Sequence, residues 1–282
     1  MNQDRIKFFD IHAHLHFNIF QNQIEEKIKE NLNEGVFFLN VGTSKKTSLE
    51  AVKYSNFNGV WASIGLHPHH TWTDFEDEFE GKIDKEEFFE EQFYESLVTH
   101  PKVVAIGEFG LDYFYFPENS DVNSIKKIQW QVCEAQIKFA KKHNKSLMIH
   151  LRGKDYSVFA DFYSLIKNYL PLNINIHFFS GDIFWAKKFL DLGCYFSFGG
   201  VITFKNAEEK RKVIAYLPLD RILTETDSPY VSPEPFRGQI NEPKNVKLVV
   251  EKIAEIKKED ILKVKEIIFY NSCNYLGLKA TS

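Results

Sequence analysis

The sequence predicts an α/β fold of the TIM type, a parallel (β/α)8 barrel, and three observations lead there. Short apolar runs rich in phenylalanine and β-branched residues alternate with longer amphipathic stretches along the whole chain. About eight such pairs follow one another, the count a parallel barrel requires. No Ser/Gly-rich linker interrupts them, so residues 1–282 are expected to form one barrel domain that ends in extra C-terminal helices. A doubly wound open sheet is the main competitor. It lacks support because no Gly-x-Gly-x-x-Gly follows a strand-like run.

Taken in order, Phe8–His12 reads as the first strand, and Gln23–Asn33 as a helix stopped near Gly35. Val36–Gly42 and Val60–Ile64 give the second and third strands, with a short helix at Thr47–Ser55 between them. The acidic segment 74–91 reads as a solvated loop and helix face, because lysines interrupt it and its aromatics have helical spacing. Val103–Gly110 is the fourth strand, followed by the long amphipathic stretch Ser124–Asn144 and a fifth strand, Ser146–His150. Tyr156–Leu170 is helical, Ile174–His177 is the sixth strand, and Asp182–Leu192 is a helix with Gly193 as its stop. Cys194–Phe198 is the seventh strand and Arg221–Asp227 the eighth, separated by a helix within 206–218. Two helices close the chain, Pro243–Lys258 and Asp260–Leu278.

Composition narrows the class. A hydrophobic share of 44% and a charged share of 26% are ordinary for a globular protein, and a net charge of −4 argues against coating duplex nucleic acid by charge alone. Cys133, Cys194 and Cys273 are odd in number and far apart, so neither a disulfide framework nor a Cys-x-x-Cys metal knuckle is expected. The first ten residues contain no apolar leader, and no apolar run approaches the roughly 18–20 residues that span a bilayer. A cytoplasmic protein without a membrane segment or an obligate protein partner is the expectation.

Chemistry enters with "FFDIHAHLHF", in which His12, His14 and His16 alternate along a strand and so share one face. In a β/α barrel the reacting groups stand at the C-terminal ends of the strands. Those ends carry His12 and His14, the His67-Pro68-His69 loop, Glu108, His150, His177 and Asp227. Burying several such groups unpaired costs several kcal/mol, and a cation removes that cost. Imidazoles and carboxylates without a thiolate suit Zn²⁺, Mn²⁺, Co²⁺ or Fe²⁺, with Mg²⁺ at an oxygen-rich position. Four histidines and two acids exceed one tetrahedral site with an open position. They suit two divalent ions roughly 3.5–4 Å apart that share a carboxylate and a hydroxide, which points to hydrolysis.

The ordered segments "FDIHAHLH", "IGLHPH", "VVAIGEFGLDYFY", "MIHLRGKDYSVF", "IHFFSG", "ILTETDSPYVSP" and "RGQINEPKNV" resemble the TatD family of metal-dependent hydrolases, within the amidohydrolase superfamily. The resemblance spans nearly the whole chain. It implies a deoxyribonuclease that cleaves phosphodiester bonds, as a 3′-to-5′ exonuclease on single-stranded DNA. By motif position, His12, His14, Glu108 and Asp227 hold one ion, and Glu108, His150 and His177 hold the other. Asp227 is a candidate to accept the proton of the attacking water, the alternative being a ligand role alone, and His67 a candidate to contact phosphate or protonate the leaving group, the alternative being a rigid turn with Pro68. His16 falls just past the motif, as a surface or supporting residue.

Arg152 lies two residues past His150 and is placed to pair with a phosphate, and Asp112 is a candidate for substrate contact or for orienting a ligand histidine. Two positions depart from the family pattern: Phe178, where a cysteine is frequent, and Ile240, where a basic residue is frequent. Rival readings are a metallohydrolase of a small-molecule ester or amide, one of an ester-linked RNA, and a scaffold without activity.

Overall fold

The computed structural model describes residues 7–72, 76–82, 86–116 and 118–279. Its strands, in chain order, are β1 (Phe8–Ala13), β2 (Val36–Val41), β3 (Val60–Ile64), β4 (Glu76–Asp77), β5 (Gly81–Lys82), β6 (Val103–Tyr113), β7 (Ser146–Gly153), β8 (Ile174–Ile176), β9 (Tyr195–Phe198) and β10 (Ile222–Thr224). Its helices are α1 (Ile24–Asn33), α2 (Lys45–Lys53), α3 (Glu91–Val98), α4 (Val122–Lys142), α5 (Ser157–Ile166), α6 (Ile183–Leu190), α7 (Glu208–Tyr216), α8 (Val246–Lys257) and α9 (Ile261–Leu276).

Eight strands pair in the order β1-β2-β3-β6-β7-β8-β9-β10, and every neighbouring pair is parallel. The first and last strands meet at their C-terminal ends, where the His14 amide donates to the Ser228 carbonyl and the Asp227 amide donates to the His12 carbonyl. The sheet therefore curls into a nearly closed TIM barrel, as the alternating pattern predicts. β4 and β5 form a separate antiparallel hairpin.

Local chemistry sets the element ends. α2 begins at Lys45, two residues before the expected start, because Ser44 and Thr47 form a reciprocal capping box. Asp121 caps α4, Asp182 caps α6 and Asp260 caps α9, each accepting backbone N–H bonds that the first turn would otherwise leave unpaired. Buried phenylalanines such as Phe159, Phe162 and Phe189 pack between helices and sheet. The Phe159 ring stacks on Trp185, so much of the phenylalanine excess is spent inside the chain. α9 is anchored to the barrel by Tyr275, whose hydroxyl donates to the Leu147 carbonyl.

Two irregularities prepare the site. The ladder slips between Asp10 and Ala13 on β1, and between Ile106 and Phe109 on β6. Bulges of this kind re-aim side chains, and here they fall where His12 and Glu108 emerge. β6 also runs past its expected end to Tyr113, because Gly110 lets it lie tightly against His150 of β7.

A Cβ at Gly110 would come within 1.9 Å of the His150 carbonyl oxygen, and the residue's φ is +155°. Gly110→Ala is therefore expected to cost about 3 kcal/mol or more in urea denaturation, the upper end for overpacking. Gly193→Ala, with nothing within 4 Å of the new methyl and a φ of +84°, is expected to cost only about 1 kcal/mol, from its left-handed backbone.

Candidate metal centre

The polar groups at the strand ends converge. β1 delivers His12 and, one residue past its end, His14; β6 delivers Glu108, β7 delivers His150, and His177 follows β8 directly. Asp227 lies three residues beyond β10, in left-handed backbone with a φ of 56°. His67 heads the short turn Pro68–Thr71 after β3, where its Nδ1 accepts from the His69 amide. His14, His67, His69, Glu108, His150, Arg152, His177 and Asp227 line one cavity of about 500 Å³, and His12 is fully buried beside them.

Glu108 stands at the centre. Its Oε2 is 3.1 Å from His12 Nε2, and its Oε1 is 2.7 Å from His150 Nδ1, 2.8 Å from His177 Nε2 and 3.4 Å from His67 Nε2. On the Oε2 side, His12 Nε2 lies 3.0 Å from His14 Nε2, and Asp227 Oδ1 is 3.6 Å from the former and 3.5 Å from the latter. Three donor triads result: His12/His14/Asp227, His12/Glu108/His177 and His67/Glu108/His150. The last brings His67 among the potential metal donors, a placement its motif position had not implied.

The ring protons show what this cluster lacks. His14 Nδ1 donates to the Val41 carbonyl at 2.7 Å, so in the neutral ring Nε2 is a bare lone pair facing His12 and Asp227. His150 Nε2 donates to Asp112 Oδ2 at 3.0 Å, which leaves a lone pair on Nδ1 pointed at a carboxylate oxygen 2.7 Å away. Lone pairs facing lone pairs in a buried site repel unless a proton or a cation lies between them. A divalent cation fits these donors in number, type and direction.

The electrostatics agree. Burial pushes the Glu108 carboxyl up, but charge interaction with its histidine neighbours, His177 foremost, and the hydrogen bond from His12 outweigh it and hold it well below the usual carboxylate range. Burial, reinforced by His150, pulls His67 down to about 3, which keeps its ring neutral and able to donate a lone pair.

Comparison with known proteins identifies the architecture. The family profile described as TatD related DNase matches residues 9–277. The chain is 34% identical to the uncharacterized metal-dependent hydrolase YabD of Bacillus subtilis, over 94% of its own length and 96% of the relative's. The chain belongs to the TatD family. A metal-dependent hydrolase of Methanocaldococcus jannaschii, MJ1582, is 29% identical, over 96% of this chain and 97% of the relative. The crystal structure of YjjV, a TatD homolog from Escherichia coli, superposes with a TM-score of 0.82 at 25% identity, covering 97% of this chain and 99% of that one. The protein is thus a TatD-type metal-dependent hydrolase with a TIM barrel. No helix among its described residues is long and apolar enough to cross a membrane.

Around the donors of this TatD hydrolase lies a ring of groups that sequence spacing did not single out. Glu225 is fully buried, accepts from the Phe178 amide and the Ser197 hydroxyl at 2.6 Å each, and places Oε2 3.6 Å from His177 Nδ1. Asp10 is equally buried, and accepts from the backbone N–H groups of His12 and Thr226 and from the Thr226 hydroxyl. It ties the first strand to the last behind the site, and burial raises its carboxyl well above the usual range. Both acids look from sequence like ordinary strand residues; only their burial in three dimensions marks them.

Two expectations are narrowed to one of their alternatives and one is corrected. Asp112 is fully buried and does not line the cavity. Its Oδ2 lies 2.9 Å from His69 Nε2 and accepts from His150 Nε2, while Oδ1 accepts from the Phe114 amide, so its contacts are those of the orienting alternative and not of a cavity-lining group. His16 is buried, not on the surface, packed against Phe17 and beside Asn40; burial, with the His14 charge, pulls its ring down to about 3. The acidic segment 74–91 is no plain solvated face, because its described part carries the β4–β5 hairpin against the cavity. Glu80 Oε1 accepts from Thr43 Oγ1 at 2.6 Å and faces His70 Nε2 at 3.0 Å, while Tyr230 donates to Asp77 Oδ1 at 2.7 Å. Residues 73–75 and 83–85 of that neighbourhood lie outside the described residues.

The hairpin latch has a defined pH window. Burial alone would lower His70, yet its bond and charge pairing with Glu80 raise it; burial alone would raise Glu80, yet His70 and Thr43 bring it down to about 2. The histidine's contribution is complete below the free imidazole pKa, near 6.5, and fades as pH rises through its higher folded value. The carboxylate's contribution is complete above about 4.5 and fades as pH falls toward 2. Amide protection factors in residues 76–82 should therefore peak between about pH 5 and 6.5 and fall on both sides. His70→Ala should abolish the alkaline limb.

Proposed function

We propose that this hydrolase is a deoxyribonuclease that removes nucleotides from the 3′ end of single-stranded DNA, using two divalent cations. The reading rests on one observation above others: Glu108 divides the donors into two groups, one on each of its oxygens, beside a cavity that also holds a guanidinium. His12, His14 and Asp227 would hold one ion, and His150 and His177 the other, with Glu108 common to both. Bound there, the ions lower the pKa of water and neutralise charge on the phosphate oxygens.

The residues divide the remaining work. Asp227 lines the cavity and takes the proton from the attacking water as its oxygen bonds to phosphorus. The bond from phosphorus to the 3′ oxygen of the shortened strand breaks, and Asp227 passes its proton to that oxygen. His67, which also lines the cavity, stands either as a further donor beside Glu108 and His150 or as a phosphate contact. Arg152 pairs with the phosphate backbone; its guanidinium lies 4.2 Å from the centre of the Phe114 ring, which fixes its plane.

Phe114 exposes an aromatic face next to Arg152, and Tyr115 exposes another beside Trp72, on which unpaired bases stack. A small contact zone at one strand end also reconciles a nucleic acid substrate with a net charge of −4. The description of the matched family as a DNase supports the same substrate class.

Incubation with end-labelled single-stranded DNA and Mn²⁺ or Mg²⁺ is expected to release mononucleotides stepwise. Asp227→Asn should lower the rate by about 100-fold or more, as loss of a general base does. Equal rates for the two proteins, or turnover of carboxylic esters with no attack on DNA, would overturn the reading. Asp112→Ala should weaken metal retention by about 10–100-fold in a chelator competition, because His150 loses the partner that fixes its ring. Unchanged retention would remove the orienting role from Asp112.

A further inference from the structure

The cavity is electrically lopsided. Among the described residues that line it, Arg152 is the one Arg or Lys, and it shares its side with Phe114, Gly153 and Ser180. The other side is the β4–β5 hairpin, which adds Asp77 and Glu80. Neither acid belongs to the donor triads. The hairpin is tied to the loop after β10 through Tyr230–Asp77, and to the loops after β2 and β3 through Thr43–Glu80 and His70–Glu80, so this side is a continuous wall.

Each wall acid uses one oxygen to hold the wall. Asp77 Oδ1 accepts from the amides of Phe79 and Glu80 and from the Tyr230 hydroxyl, and Glu80 Oε1 serves Thr43 and His70. Among the described residues, no donor serves Asp77 Oδ2 or Glu80 Oε2. A carboxylate oxygen only accepts. The wall therefore welcomes a hydroxyl and repels a phosphate, whereas the Arg152 side welcomes a phosphate.

We infer that Asp77 and Glu80 select the strand terminus: the substrate is a nucleic acid strand whose last nucleotide ends in a free hydroxyl, and a terminal phosphate is rejected. The internal phosphates run out past Arg152, and the terminal sugar faces the hairpin with its hydroxyl donating to a free carboxylate oxygen. The inference rests on the nuclease reading above and gives it a physical cause for exonucleolytic action, since a continuing strand would carry its next phosphate into the same wall.

The test compares kcat/KM for one labelled oligodeoxynucleotide ending in a 3′-hydroxyl, a 3′-O-methyl group or a 3′-phosphate. The wild-type protein is expected to prefer the hydroxyl end over the phosphate end by about tenfold or more, with the uncharged methyl ether between them. Asp77→Asn and Glu80→Gln keep the oxygen that holds the wall and replace only the free one with an N–H donor. Each should shrink the hydroxyl-to-phosphate ratio, chiefly by improving use of the phosphate end, while hydrogen exchange in 76–82 verifies that the hairpin stays seated. Equal use of all three ends by the wild type, or an unchanged ratio in both seated variants, overturns the inference and leaves the nuclease reading standing. Failure to cleave any of the three strands removes both.

Discussion

Glu108 faces His12 with one carboxylate oxygen and His67, His150 and His177 with the other, and the rest of the site is arranged around that division. A buried carboxylate ringed by buried imidazoles is costly on its own, because each group has lost water and the lone pairs oppose one another wherever no proton or cation lies between them. The arrangement is tolerable because outer groups fix each ring from behind: Val41 for His14, Asp112 for His150 and Glu225 for His177. Those partners decide which nitrogen of each ring points inward, and so decide the chemistry the cluster can perform. Backbone strain belongs to the same account. Asp227 and Phe178 both hold left-handed conformations beside the site, of the kind that costs roughly 1–3 kcal/mol and persists only where surrounding contacts over-determine it.

The barrel and the convergence of its strand-end groups were legible because their signals are local and repeat. Alternation of strand and helix patterns locates the strand ends, and a barrel places chemistry at one set of those ends. His12, His14, Glu108, His150, His177 and Asp227 could thus be gathered from scattered positions in the chain. The outer shell was not legible, for reasons that Asp10 and Glu225 illustrate. Their partners lie far along the chain, Thr226 for Asp10, and Phe178 and Ser197 for Glu225. No spacing rule encodes such pairings.

Asp112 shows a different difficulty. Its place at the end of β6 made it a fair candidate for substrate contact, but the strand runs on to Tyr113 and turns the side chain beneath His69 and His150. The hairpin of segment 74–91 was hidden by composition, since charge and aromatic content read the same on a solvated helix as on a wall. Only the pairing of Glu80 with His70 and Thr43 shows the difference.

The seam where the first and last strands meet carries a consequence for biosynthesis. His12 and Asp227 are joined across it through the backbone, and Asp10 clasps Thr226 behind them. The earliest ligands leave the ribosome long before the residues that complete them, so contacts of very long sequence separation must close last. A nascent chain consequently has no assembled centre until its final quarter is available. A hydrolase built this way gains its full donor set only when the seam closes, so no partly made barrel presents the complete centre.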